Sequence, residues 1–391
     1  MGMWSQLKSL DIYRCNDPDR IAGISHSFCR LPRLQSLSVE AVSTDAYIQL
    51  SNHPELTNLK LGSLRTIDWD IVENNLQGMS AFPSLEGVEV DFATETQCRQ
   101  LLQTMRSSLR SIEVLLWDIH TGTSYCCLLT ALKDHCPSML QKISLGSYLR
   151  GANFTPSADP ITPDHLTPLL GFRNLTHLNI RPSSDIQVDE NCIQKMTENL
   201  PRIRTFLLLS HNSDPDVANR APTLKIDCLV HFALNCPHLT ELGLAFDARW
   251  AALPYKAARR PTLHPTSLNL MYVGNSPVRD TYTVAAIFSD WFPKIYTILA
   301  GPLPGKMENG PKLQRLQKLW DNVGNSQIGS GPVGTSRDHH KRKCLSRPVL
   351  TKKILVGTTR LAVETNPAAG SHSRRSGPDH TLHQSSPQAN W

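Results

Sequence analysis

A short apolar pattern, L-x-x-L-x-L, returns along the chain often enough to dictate what the chain can fold into. It opens in LKSLDIYRC, where Leu7, Leu10 and Ile12 take the apolar positions and Cys15 a fourth. LQSLSVEAV repeats it with Leu34, Leu37, Val39 and Val42, and LTNLKLGSL with Leu56, Leu59, Leu61 and Leu64. LEGVEV (Leu85, Val88, Val90) and LRSIEVLLW (Leu109, Ile112, Val114, Trp117) follow. Then come LQKISL (Leu140, Ile143, Leu145), LTHLNI (Leu175, Leu178, Ile180), IRTFLL (Ile203, Phe206, Leu208) and LTELGL (Leu239, Leu242, Leu244). Two degenerate copies stand around Leu268–Val273 and Ile295–Ile298.

The second half of each copy alternates apolar and polar residues, the period of a strand with one buried face. Between copies lie helix-compatible stretches that run into a proline, as in MTENLPRIRTF and HFALNCPHLTEL. Proline drives the residue before it out of the helical region, so each helix stops there and the chain turns into the next strand. One such unit cannot bury its own apolar face, but stacked copies bury one another's. The sequence therefore predicts an α/β leucine-rich-repeat solenoid, a horseshoe, over residues 1–304.

In such a repeat the second and third leucine positions point into the core, and strand alternation turns the residues between and beside them to the concave face. That places Asp11, Tyr13, Glu40 and Lys60 on one surface. Glu89, Asp91, Glu113 and Leu115 follow, then Lys142, His177, Asn179 and Arg181, then Leu207 and Leu209. In order, an acidic first half leads to a basic middle and then to two leucines, which the alternation predicts to be exposed and hence a contact site. A protein partner is expected on this face.

Two segments, ALKDHCPSMLQKISL (Ala131–Leu145) and ALNCPHLTELGL (Ala233–Leu244), carry a Cys-Pro turn ahead of the next leucine. In this and in its long, irregular units the region 7–300 resembles the leucine-rich repeats of F-box proteins, in particular their large fungal branch. The resemblance implies substrate recognition in an SCF-type ubiquitin ligase, where an N-terminal F-box docks on the Skp adaptor of a cullin complex and the repeats hold the substrate. The repeats here begin at Leu7, ahead of which an F-box of some 40 residues has no room, so no adaptor-docking residue carries over. Skp adaptor and cullin are expected as partners only through an upstream F-box. The alternative is a stand-alone interaction scaffold unrelated to ubiquitin.

Charge separates the body from the rest. Residues 305–391 hold about 14 Lys and Arg against about 5 Asp and Glu, leaving residues 1–304 mildly acidic. KLQRLQKLW (Lys312–Trp320) is expected to cap the last repeat as a short helix. Beyond it Gly, Ser, Pro, His and Arg dominate, and a basic tail mostly disordered from about residue 321 is expected. Cutting after about Pro304 is therefore expected to spare the fold. The clusters Lys341-Arg342-Lys343 and Lys352-Lys353 read first as solvated charge, and without aromatic neighbours for base stacking nucleic acid is not an expected partner.

Other chemistries are not expected. GSGPVG (Gly329–Gly334) matches a dinucleotide-loop spacing but lies in low-complexity sequence with Pro332 inside it. His120, Cys126, Cys127, His135 and Cys136 lack the paired spacing that brings donors round one ion, so neither metal nor cofactor is expected. No nucleophile-elbow, zincin or phosphate-loop motif occurs, and the chain does not read as an enzyme. Met1–Leu10 lacks the apolar run of a secretory signal, and the ten cysteines form no even framework, which points to the cytoplasm or nucleus. The most apolar window, Val284–Ala300, carries Asp290, Pro293 and Lys294, so no membrane association is expected.

Overall fold

The computed structural model describes residues 6–12, 24–25, 27–77, 81–105, 109–117, 121–136, 139–147, 159–210, 222–249, 251, 266–301 and 311–329. Contacts divide the chain into two units, Met1–Gly334 and Thr335–Trp391, and the second lies wholly outside the described residues. The basic clusters at 341–343 and 352–353 therefore fall outside them, as do Tyr13 and Cys15.

Each copy of the apolar pattern forms one strand. They are β1 (Ser9–Ile12), β2 (Ser36–Val39), β3 (Asn58–Leu61), β4 (Gly87–Ala93), β5 (Ser111–Leu116) and β6 (Lys142–Ser147). β7 (His177–Arg181), β8 (Thr205–Leu208), β9 (Glu241–Leu244), β10 (Leu270–Gly274) and β11 (Thr297–Ala300) complete the set. All eleven pair in parallel, in the order of the sequence, as one sheet. The two degenerate copies are thus full members, β10 and β11. Register follows the motif, so Leu37, Leu59, Val88, Ile112, Ile143, Leu178, Phe206, Leu242, Met271 and Ile298 stand in one buried row across the sheet.

Helices return the chain between strands: α1 (Thr44–Ser51), α2 (Trp69–Leu76), α3 (Glu95–Thr104), α4 (Gly122–His135) and α5 (Pro163–Leu166). Then come α6 (Glu190–Asn199), α7 (Leu229–Asn235) and α8 (Thr281–Trp291), and α9 (Pro311–Gly329) follows the last strand. Short polar residues start several of them. Asp189 accepts from the Cys192 N–H at 2.7 Å, and Thr94 and Gln97 form a reciprocal capping box. Prolines end them. Leu200, Cys236 and Phe292, each before a proline, leave the helical region with ψ of 53°, 69° and 65°. The buried faces of α1 to α8 join the inward strand residues in one apolar core.

Two local expectations change. Trp117 is not the inward residue closing the fifth copy. β5 runs to Leu116, so alternation sends Leu116 inward, while half-buried Trp117 meets Phe92 edge-on and lies under the Arg65 guanidinium. Ordered sequence also extends past residue 321. α9 reaches Gly329 and buries Trp320 and Val323 completely. Trp320 stacks on Phe288 and donates its indole N–H to the Ser276 carbonyl at 3.0 Å. Gln317 accepts from the Ala300 N–H at 2.6 Å and donates to the Ile298 carbonyl at 3.2 Å, pairing the outer edge of β11 with a side chain. The segment expected to cap the last repeat does so, and a cut after Pro304 would remove part of the core.

Candidate binding face

Alternation along each strand leaves its other residues on the sheet face turned away from the helices. The central row of this far face runs Asp11, Ser38, Lys60, Glu89, Glu113, Ser144, Asn179, Leu207, Gly243 and Tyr272, each in register with the next. Neighbours in such a row stand about 4.8 Å apart, close enough for side chains of successive repeats to touch.

In the first half they do so through charge. Lys60 pairs with Glu89 and stands 3.7 Å from Asp91 on the same strand as Glu89. Lys142 donates to Glu113 at 2.7 Å. Burial pushes the Asp91 carboxyl above its ordinary value; Lys60 opposes the rise, and Glu89, Glu113 and Glu40 add to it. The acids thus share one field that Lys60 only partly neutralises. Leu115 stands half-buried against Gly146, and Asp11 is exposed at the first strand.

The middle of the face is basic and polar. Lys142, His177 and Arg181 lie on β6 and β7, and burial, with the charges of Lys142 and Arg204, holds the His177 imidazole below its ordinary value. Asn179 donates its amide to the Ser144 hydroxyl at 3.1 Å, and its amide oxygen is buried with no donor among the described residues.

Leu207 and Leu209 correct the sequence reading. Both belong to the far face, as Leu207 pairs in register with Asn179 and Gly243, and both stand outside the main apolar core. Yet they are only 7% and 4% exposed. The cause is glycine in the following repeats. A methyl built on Gly243 would stand 2.7 Å from Leu207 Cδ2 and 2.9 Å from Leu209 Cδ1, so the two side chains lie down over the bare backbone. Leu209 reaches on to Gly274, whose φ of +53° is a left-handed conformation suited to glycine. The expected exposed leucine pair is a packed layer.

The sequence reading omitted Tyr272 from the site, whereas strand alternation already turns Glu241 to this face. Thr205 donates to Glu241 at 3.3 Å, and the Tyr272 hydroxyl, also hydrogen-bonded to Glu241, is raised above its ordinary value chiefly by burial. The tenth copy held the signal, since Tyr272 sits between Met271 and Val273 as Lys60 does between Leu59 and Leu61.

Among the described residues no three His, Cys, Asp or Glu side chains gather as a metal site would need. Cys98, Cys136, Cys192, Cys228 and Cys236 are buried, and burial pushes their thiols up, to about 11 for Cys136 and Cys192, so they pack as small apolar groups. No described helix is long and apolar enough to cross a membrane.

No family model and no curated protein matches the chain. A solved structure to which it is similar is the crystal structure of the Rad7 and Elc1 complex in yeast. That match has 12% identity and a TM-score of 0.25, covering 76% of this chain and 87% of that one.

Proposed function

We infer that this chain is a protein-binding repeat domain of the leucine-rich-repeat type, its repeats curving into a horseshoe and its far face, the concave one, holding a protein partner. One observation carries the reading: charges of both signs gathered on one face, with Lys60, Glu89 and Glu113 in one register row, Asp91 two residues along from Glu89, and Lys142 paired diagonally with Glu113. Partly exposed ion pairs of this kind contribute about 0–1 kcal/mol to stability, so folding draws little from them. Ordered charge of both signs on one face instead selects and orients a partner of complementary charge. Binding rather than catalysis is its work, in the cytoplasm or nucleus, with residues 335–391 a basic low-complexity extension.

The more specific role is substrate recognition in an SCF-type ubiquitin ligase, supported by the Cys-Pro turns and long units that resemble F-box repeat proteins. Adaptor and cullin are partners in this reading only where an upstream F-box is joined to the repeats. A photoreactive residue placed at Ser38 or Leu115 on the far face is expected to give covalent adducts with a protein in cell extract. The same residue at Asn74 or Asp134, exposed on α2 and α4, is expected to give none. Adducts mainly from the helix positions would refute the assignment of the face. Co-purification of Skp adaptor and cullin with residues 1–391 would refute the division of labour between repeats and F-box.

A further inference from the structure

A second feature stands at the strand-exit end of the charged half of the far face. β4 carries one residue more than its partner there. Val90 pairs with Val114 and Ala93 with Leu116, so Asp91 and Phe92 together face Leu115. A bulge of this kind re-aims a side chain. Phe92 takes it with a φ of 53°, a conformation that a bulky residue rarely adopts. Both residues are half-buried, where unbroken alternation would turn one in and one out.

The outward positions continue past the end of β5. The Trp117 N–H still donates to the Ala93 carbonyl at 2.9 Å, so alternation puts its side chain on the side of Glu113 and Leu115. The bulge brings Phe92 against it, with ring centroids 5.9 Å apart and 71° between the planes. The Arg65 guanidinium lies 5.1 Å from the Trp117 ring centroid, within the range of a cation over an aromatic face. Arg65 is exposed, and such a contact is weak at an exposed site. The ring thus already carries a guanidinium, held loosely enough to exchange.

Beside this aromatic corner the charge is one-sided. From β1 to β5 the outward positions hold Asp11, Glu40, Glu89, Asp91 and Glu113 and one lysine, Lys60, while Lys142 reaches Glu113 from β6. Glu89 and Glu113 stand directly opposite each other, a pairing of like charges that works against the sheet. Glu40 leans over the bare backbone of Gly62, where an added methyl would stand 3.1 Å from its Cδ. Burial, and after it the charges of Glu89, Glu113 and Glu40, raise the Asp91 carboxyl against the pull of Lys60. Among the described residues these carboxylates do not gather three to a point, so they suit cations spread along a chain rather than one metal ion.

We propose that this half of the far face takes an extended, arginine-bearing basic segment of a partner protein. One guanidinium exchanges for Arg65 on the Trp117–Phe92 corner, and the next cations lie against Asp91, Glu113 and Glu89. Arginine suits both parts. Its flat guanidinium stacks on an indole and its fork donates paired bonds to a carboxylate, whereas an ammonium is a point charge. The spacing is that of extended chain, since the outward residues Glu113, Leu115 and Trp117 recur about every 6.6 Å, as do alternate side chains of a partner strand. Leu115 between them offers a surface to the aliphatic stem of an arginine. The proposal rests on the far face being a protein-binding surface, and it fixes the charge and side chain of what binds there.

The test uses the full chain and three fluorescent peptides in which serine alternates with arginine, lysine or glutamate. Anisotropy is expected to show the arginine peptide binding about threefold or more tighter than the lysine peptide, and the glutamate peptide not at all. D91N/E113Q should weaken the arginine peptide about tenfold without lowering the melting temperature. Glu73→Gln, exposed on α2, should leave binding intact. Arg65→Gln is the sharper variant. Loss of a positive charge alone would tighten the arginine and lysine peptides equally, whereas a freed ring should tighten the arginine peptide more. Trp117→Leu should erase the preference for arginine over lysine; if it lowers the melting temperature, the Arg65→Gln comparison is read instead. Equal binding of the arginine and lysine peptides, binding that survives D91N/E113Q, or an equal gain for both peptides in Arg65→Gln overturns the proposal. So does tighter binding of the glutamate peptide. Far-face photo-adducts that persist while the arginine peptide fails to bind would sink the basic partner and leave the binding face standing.

Discussion

The two halves of the far face are built on the same backbone and carry different chemistry. From β2 to β6 its outward positions hold Glu40, Lys60, Glu89, Asp91, Glu113 and Lys142, partly exposed and joined across strands by charge. From β8 to β10 they hold Leu207, Leu209, Gly243 and Gly274, where large side chains fold over glycines and are lost to solvent. Register is unbroken between Glu113 and Gly243. The inward leucine ladder sets the frame, and the outward residue is left to become either part of a charged, partly exposed surface or part of a second packed layer.

The largest expected effect tests the frame. Leu178→Asp removes a fully buried side chain from the middle of the ladder, and truncation alone at such a site costs about 2–5 kcal/mol before the unpaired carboxylate is counted. Because each repeat buries its apolar face against the next, several repeats should unfold together, read as loss of the cooperative melt by circular dichroism. A native-like melt would break the assignment of inward and outward faces.

Next in size is the C-terminal cap. A chain ending at residue 304 lacks Gln317, Trp320 and Val323, exposing β11 and the aromatic surface of Phe288. It should melt several degrees below a chain ending at residue 334, and equal melting temperatures would deny α9 its capping role.

Leu207→Asp should fall between core and surface, destabilising by about 1–3 kcal/mol, since the side chain is buried but lies outside the main core. A melt as early as that of Leu178→Asp would merge the packed layer with the core. A melt identical to wild type would return Leu207 to the exposed class. The smallest effect concerns Asp91. Its folded carboxyl titrates above the ordinary 3.8, so its contribution favours the fold below that value and is lost as pH rises through the folded value. Asp91→Asn should therefore be slightly more stable than wild type at neutral pH and lose that advantage on acidification toward pH 3. A variant less stable at neutral pH would show that the Lys60 attraction outweighs burial.

What the sequence revealed and what it hid divide along a physical line. Strand positions, register and inward residues were legible because they follow from local alternation and from prolines such as Pro201 and Pro237, whose effects act on adjacent residues. Burial of Leu207 was not, because it depends on Gly243, 36 positions later in sequence and one strand away in space. Trp117 misled because the inward or outward sense of a strand's last residue depends on where the strand ends. α9 was recognised as a cap, but its extent past Trp320 was obscured by the polar composition that follows. The pairing of Lys60 with Glu89 and Asp91 needed side-chain geometry that register alone does not provide.

The measurement that bears most directly on the account takes melting temperature and partner affinity from one sample of Glu113→Lys, using the protein captured by the far-face photo-adducts. Glu113 is partly exposed and its pair with Lys142 contributes little to folding, so the melting temperature should move by no more than the equivalent of about 0.5–1 kcal/mol. Affinity should fall by tenfold or more, because the reversed charge sits in the centre of the acidic row. A melt as early as that of a core variant, or an affinity equal to wild type with the fold intact, would contradict the claim that the charged half of the far face serves binding rather than stability.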